Sequence, residues 1–276
     1  MKTFFDGLDD DIKLKLKDQL RDLWTHTSTA IEGNSLTLGE TAFVLKEGLT
    51  IAGKPLKDHD EVTGHARAIE MIYGILDKKS ISEKDLFRLH ESVQVQSITD
   101  IYSPVGAWKK EENGTYAVDD NGCQIFKYYS APEDVPFLMD NWISKFNELY
   151  KNAKSAAEAF NSYVYLHMSF TRIHPFNDGN GRLARLVSNI PLLKAGQPPV
   201  IVSKKKRYDY MRILSSYDLA VGIPSRKAPE LLLPHPRIDE FADLMSEEWK
   251  NSIKLVNKAR REQEKRKIIK MPFITL

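Results

Sequence analysis

Twelve consecutive residues, His174-Pro-Phe-Asn-Asp-Gly-Asn-Gly-Arg-Leu-Ala-Arg185, gather an imidazole, a carboxylate, a Gly-Asn-Gly turn and two arginines. Those groups can hold a chain of phosphates and remove a proton beside it. His174 has an unperturbed pKa near ~6.5, so it can accept a proton at neutral pH. Gly179 and Gly181 can take backbone angles that a side chain forbids. Successive N–H groups around Asn180 can then face one anion-binding concavity. The run from Arg182 to Lys194 is rich in Leu and Ala and reads as a helix. Its start adds the positive end of a dipole at the same place. Arg182 and Arg185 share a helix face, and guanidinium forks match phosphate oxygens. Asp178 is a hard oxygen ligand, of the kind Mg²⁺ takes together with substrate phosphates. Phe176 reads as a core anchor. Each part alone has an ordinary reading, such as a surface histidine, a simple turn or a solvated helix face. Their order within twelve residues is what points to phosphate chemistry.

The elements that must position this segment are mostly helices. Asp9 to about Trp24 is amphipathic, with Ile12, Leu16, Leu20 and Leu23 near one face. A separate short helix over Ser28–Asn34 is expected next. Thr37 and Glu40 have capping-box spacing, and further helices are expected at about 57–77 and 82–95. The stretch 155–173 is apolar on most sides and reads as a buried helix delivering the chain to His174. His167 on it, and His65 and His90 upstream, read as structural. Between Tyr102 and Tyr129 glycines, a proline and alternating residues break the helical pattern. Asn121-Gly122 there is a type I′ hairpin signal. Lys204–Arg207 reads as a solvated turn. One or two helices are expected from Ile238, and the basic run Lys258–Lys270 reads as a solvated helix end.

Composition narrows the function class. The 276 residues carry 40 basic and 38 acidic side chains, a near balance that argues against a general nucleic-acid binder. Cys123 is the only cysteine, so no intrachain disulfide can form, which fits a reducing, cytoplasmic compartment. No run of 18 apolar residues exists, so no membrane span is expected. Acidic residues from Asp6 onward end the apolar start too early for a signal peptide.

The motif resembles the signature of the Fic family, His-x-Phe-x-Asp/Glu-Gly-Asn-Gly-Arg-x-x-Arg, and fills every fixed position. Upstream, Ser28-Thr-Ala-Ile-Glu32-Gly33-Asn34 is similar to the Ser/Thr-x-x-x-Glu-Gly/Asn inhibitory helix of Fic proteins. Its place before the core resembles the N-terminally self-inhibited class. The resemblance implies an all-α fold: a helical Fic core with a small β-hairpin flap, preceded by N-terminal helices that include the inhibitory one. It implies transfer of AMP from ATP, with Mg²⁺, to a Ser, Thr or Tyr hydroxyl of a target protein docked on the flap. His174 would then be the general base and Asp178 the Mg²⁺ ligand. Gly179, Asn180 and Gly181 would cradle the phosphates, Arg182 facing the β- and Arg185 the γ-phosphate. Glu32 would pair with Arg185 and hold the enzyme back. Gly106-Ala-Trp-Lys109, Ala131 to Pro136 and Arg207-Tyr-Asp-Tyr210 also resemble Fic sequence. Tyr210 is thereby implied in the ATP pocket, whereas Asp218 stands where some relatives have an asparagine near the adenine.

The boundaries expected are an N-terminal helical region over 1–95, a Fic core over 96–225 and a helical extension over 226–276. Three alternatives stay open: another nucleotide or phosphocholine donor, removal of AMP with Glu32 orienting water, and a non-catalytic binding module. A homodimer is left open.

Overall fold

The computed structural model describes residues 3–94, 102–118 and 123–269. Helix α1 (Asp10–Ile31) starts with Asp10 and Asp11 at the positive end of its dipole. Ile12, Leu16, Leu20 and Trp24 recur every fourth residue and are buried. The helix is longer than expected, because Ser28 to Ile31 form its last turn and no separate helix follows. It ends in a Schellman motif. Gly33, at φ 103°, donates its N–H to Ala30 O (3.3 Å), and Asn34 N–H donates to Thr29 O (3.2 Å). Glu32 is therefore the C-cap residue and Gly33 the left-handed residue beyond it.

Helix α2 (Leu38–Glu47) opens with the expected Thr37–Glu40 capping box. Helices α3 (Leu56–Ile75) and α4 (Glu83–Val93) follow, α4 with a capping box between Ser82 and Asp85. Residue 95, the expected end of α4, lies outside the described residues. Asn34 is fastened to α3, its Nδ2 donating to Asp58 O (2.9 Å) and Glu61 Oε2 (3.0 Å).

Strands β1 (Gly114–Val118) and β2 (Gln124–Tyr128) form one antiparallel hairpin with Tyr116 opposite Phe126. A two-residue turn at Asn121-Gly122 would set Val118 opposite Ile125, but Val118 is opposite Gln124. The turn residues themselves lie outside the described residues.

The sequence reading assigned no helix to 135–152, yet α5 (Val135–Asn152) fills it and buries Leu138, Met139, Trp142, Phe146 and Tyr150. Helix α6 (Ala156–Ile173) is the expected central helix and begins with a Ser155–Glu158 capping box. The single helix expected from Arg182 to Lys194 is two, α7 (Asn180–Val187) and α8 (Ile190–Lys194). Pro191 explains the break, since its ring collides with the carbonyl four residues back, that of Val187. Asn189 then ties the junction to the following loop through Val200 O (3.0 Å) and Val200 N (2.7 Å). Helices α9 (Arg207–Val221) and α10 (Pro236–Ile269) complete the described residues, and from Ile238 onward these all belong to one helix, α10, of 34 residues.

One buried cluster joins Ile12 and Leu16 of α1, Ile69 of α3, Leu89 of α4, Trp142 of α5, Phe170 of α6, Leu183 of α7 and Val256 of α10. Phe176 sits in this cluster with no exposure, as expected for an anchor. His65 and His167 are likewise fully buried. Among the described residues no helix is long and apolar enough to cross a membrane.

Candidate active site

Helix α6 ends at His174 because the chain turns left-handed there: φ is 53° and ψ 60°. It is the only non-glycine residue with positive φ among those described. The turn throws the next five residues back over α4 and starts α7 at Asn180. Gly179, at φ 79°, is the N-cap of α7. Asn180 staples the loop from inside. Its Oδ1 accepts from Phe176 N–H (2.9 Å) and its Nδ2 donates to Phe176 O (2.7 Å). Its side chain is thereby spent on the loop. What Asn180 and Gly181 can offer an anion is their N–H groups, which the first turn of a helix leaves without intrahelical partners.

His90 supports the same loop from α4. Its ring stacks on Phe176 at 4.0 Å, Nε2 lies 3.1 Å from Asp178 O, and Nδ1 accepts from Gly106 N–H (2.9 Å). Burial pushes its pKa down to about 4, so it is neutral and Nε2 carries the proton. A structural role was expected for His90; its direct grip on the motif was not.

The loop borders a cleft of ≈ 720 Å³, within the size range of small-molecule sites. His174, Asp178, Gly179, Asn180, Gly181, Arg182, Arg185 and Tyr210 all line it, and so does Glu32 from the end of α1. His174 lies flat against Tyr129, ring centroids 3.6 Å apart, with Nδ1 3.4 Å from Thr171 O. Desolvation, reinforced by Lys109 and Lys127, holds its pKa well below the ordinary value, so the ring is neutral at pH 7. A proton on Nδ1 facing Thr171 O leaves the Nε2 lone pair as the acceptor.

Asp178 stands at the mouth with its side chain 62% exposed. Burial disfavours its charge, but Arg182, the Gly179 N–H and Gln94 outweigh that and keep its carboxyl below the usual range. Arg182 is held by Val93 O (2.9 Å), Gln94 Oε1 (2.8 Å) and Asp178 Oδ2 (3.2 Å). Arg185 is committed to α1. Its Nε donates to Ser28 Oγ (3.0 Å), and its Nη2 donates to Ser28 O (2.9 Å) and Glu32 Oε1 (2.6 Å). Gly181 makes room for this contact, since a Cβ there would lie 2.8 Å from Glu32 Oε1. Ser28, Glu32 and Arg185 thus meet, whereas Gly33 acts only through the backbone turn.

Tyr210 is 1% exposed and pairs with His167 Nε2 (2.8 Å), while Arg185 lies 5.9 Å from its ring. It backs the arginine and presents no open face. The exposed hydrophobic side chains that α9 brings to the rim are Tyr208 and Met211. Sequence reasoning missed both, although Tyr208 falls in a segment it had singled out. Asp218 lines the cleft too, but Lys127 of β2 pairs with it directly and Arg172 Nε lies 3.7 Å away. Arg207 is not merely part of a solvated turn, because its Nε donates to Ile31 O (2.7 Å) and caps the end of α1.

A cation at this mouth would find one open carboxylate, Asp178. Among the described residues no cluster of three or more His, Cys, Asp or Glu is poised to hold a metal. One carboxylate next to a phosphate cradle is nonetheless the donor set that suits Mg²⁺ shared with a substrate.

Residues 80–192 match the Fic/DOC family. A protein adenylyltransferase Fic from Nematostella vectensis is 34% identical over 196 residues, 68% of this chain and 41% of that protein. One from Drosophila persimilis is 31% identical over 188 residues, 68% of this chain and 34% of that protein. The chain therefore spans between a third and a half of the length of these curated relatives. The crystal structure of a Fic domain containing signaling protein from Bacteroides thetaiotaomicron superposes with a TM-score of 0.77 at 25% identity. That match covers 92% of this chain and 93% of the other. With the motif filled, the helical core and hairpin in place and the sequence match spanning both, the chain belongs to the Fic/DOC family.

Proposed function

We propose that this protein transfers AMP from ATP to a hydroxyl side chain of a target protein, and that Glu32 restrains the reaction in the resting state. The observation that carries this reading is the content of one cleft. It joins an imidazole with a free Nε2, the N-terminus of α7, and an arginine already engaged by a carboxylate from α1. Relatives named protein adenylyltransferases are 31% and 34% identical to this protein over 68% of the chain.

His174 Nε2 takes the proton of a Ser, Thr or Tyr hydroxyl as its oxygen forms a bond to the α-phosphorus of ATP. The bond from that phosphorus to the α–β bridging oxygen breaks, and pyrophosphate leaves. The N–H groups of Asn180 and Gly181, the dipole of α7 and the Arg182 guanidinium bear the charge of the phosphate chain. Asp178 would hold Mg²⁺ against the phosphates, and the ion would neutralise their charge. Arg185 becomes available to the γ-phosphate when Glu32 lets go, and Tyr210 serves the ATP site by backing Arg185. Tyr208 and Met211 at the rim are the groups open to the base. The hairpin β1–β2 is the flap on which an extended target segment pairs.

The test uses Glu32→Gly protein incubated with ATP labelled on either the α- or the γ-phosphate, followed by mass spectrometry of labelled peptides. Label from the α-phosphate alone, as AMP on a hydroxyl, is expected. Label from the γ-phosphate, or none from either, would reject the reading.

A further inference from the structure

Both ends of the flap are anchored on the catalytic loop. Asn113, the residue before β1, joins three segments. Its Nδ2 donates to Phe176 O (2.9 Å) and Asn177 O (3.2 Å), and its Oδ1 accepts from Lys109 Nζ (2.6 Å). Its main-chain oxygen accepts from Tyr129 N–H (3.0 Å). Lys109, itself 3% exposed, adds a bond from its own N–H to Pro175 O (2.9 Å). The carbonyls of the three residues after His174 are therefore all held by the segment entering the flap. At the other end Tyr129, the residue after β2, lays its ring on the His174 imidazole with the planes 5° apart.

These contacts meet a specific need. His174 holds a left-handed conformation, which is disfavoured for any residue but glycine. Pro175 follows it, and a residue before proline is driven toward extended angles. Such a conformation persists only where its surroundings over-determine it. The Asn113–Lys109 bracket fixes the backbone on one side of His174. Tyr129 fixes the plane of the ring. With one face covered and Nδ1 facing Thr171 O, the nitrogen left to the cleft is Nε2.

We propose that Asn113 and Tyr129 are positioning residues: Asn113 indexes the flap against the catalytic loop, and Tyr129 clamps the His174 ring so that Nε2 meets a hydroxyl presented by the flap. This rests on His174 as the base of the proposed transfer. The surface that presents the target and the group that deprotonates it then share one anchor, so neither can shift without the other.

The test places Asn113→Ala, Tyr129→Leu and Tyr129→Phe in the Glu32→Gly background. Misplacing a reacting group by about an ångström costs up to about a hundredfold. Asn113→Ala and Tyr129→Leu should therefore lower kcat about ten- to a hundredfold while KM for ATP moves less than about twofold. Tyr129→Phe keeps the stacked ring and should keep kcat. Nitrogen NMR of the His174 imidazole reads the clamp without any turnover. The parent and Tyr129→Phe should show one tautomer, protonated on Nδ1, and Tyr129→Leu a mixture. If Tyr129→Leu fails to fold, Asn113→Asp carries the test, since it keeps Lys109 but turns a carboxylate on two carbonyls. A parent that shows the single tautomer but never transfers AMP defeats the functional reading and leaves the clamp intact. Unchanged imidazole signals in the Leu and Ala variants, or an equal loss of kcat in Tyr129→Phe, would overturn the proposal.

Discussion

Replacing Glu32 with alanine should move two quantities in opposite directions. Arg185 is 2% exposed, and its contact with Glu32 Oε1 at 2.6 Å is the charged one, the Ser28 hydroxyl and carbonyl and the Tyr210 side chain being neutral partners. A hydrogen bond between charged groups contributes roughly 1.5–3 kcal/mol. The Glu32 side chain is 38% exposed, so solvent screens part of this, and about 1–2 kcal/mol is the working figure. The resting protein should lose that amount and melt a few degrees lower. ATP, no longer displacing a carboxylate from Arg185, should gain the same amount. At about 1.4 kcal/mol per decade this is roughly five- to thirtyfold in affinity. Scanning calorimetry of the free protein and titration with Mg-ATP give the two numbers. Arg185→Ala in the same background should abolish the gain. An exposed salt bridge of no consequence would leave both numbers where they were. Unchanged ATP affinity, or a gain that survives loss of Arg185, would refute the reasoning.

Other expectations concern packing and charge around the same cleft. Gly181→Ala puts a Cβ 2.8 Å from Glu32 Oε1 and 3.1 Å from Arg185 Nη1. It should therefore lower the melting temperature of the parent more than that of the Glu32→Ala protein, and equal shifts would show that the carboxylate yields without cost. Lys127→Met leaves Asp218 with only Arg172 nearby. It should cost up to about 3 kcal/mol in urea denaturation, most of it recovered when Asp218→Asn is added. His65 and His167, pushed by burial down to about 3, and His90, to about 4, are neutral in the folded protein. The unfolded chain protonates them near pH ~6.5, so stability should hold above that pH and fall below it. The fall is up to about 1.4 kcal/mol per pH unit for each residue, and a flat stability between pH 7 and pH 5 would contradict their burial as neutral rings.

The parts of this site that were legible in the sequence are those carried by short-range order. The spacing of His174, Asp178, Gly179 and Arg182 reports a turn entering a helix, and the structure has that turn. Thr37 and Glu40 announced α2 because both halves of a capping box are local. The break between α7 and α8 was also written locally, in Pro191, but the Leu- and Ala-rich composition around it masked the signal. Helix α5 was missed although Leu138, Trp142 and Phe146 repeat at helical spacing and Pro136 in its first turn is itself a helix-start signal. What could not be read is what depends on distant partners. Nothing near Tyr210 in the sequence says that His167 and Arg185 will bury it, and nothing near Arg207 says that it will cap α1. The roles of Asn113 and Tyr129 arise only when the hairpin closes over the loop some sixty and forty-five residues downstream, respectively.

His174 is the group on which the proposed transfer most directly depends. In the Glu32→Gly background, AMP transfer from α-labelled ATP should be compared before and after His174→Ala, with ATP affinity measured on both proteins. Loss of the general base should lower transfer about 10²–10⁴-fold, while ATP affinity stays unchanged because the imidazole serves the incoming hydroxyl. Transfer that survives within tenfold of the parent would contradict the account.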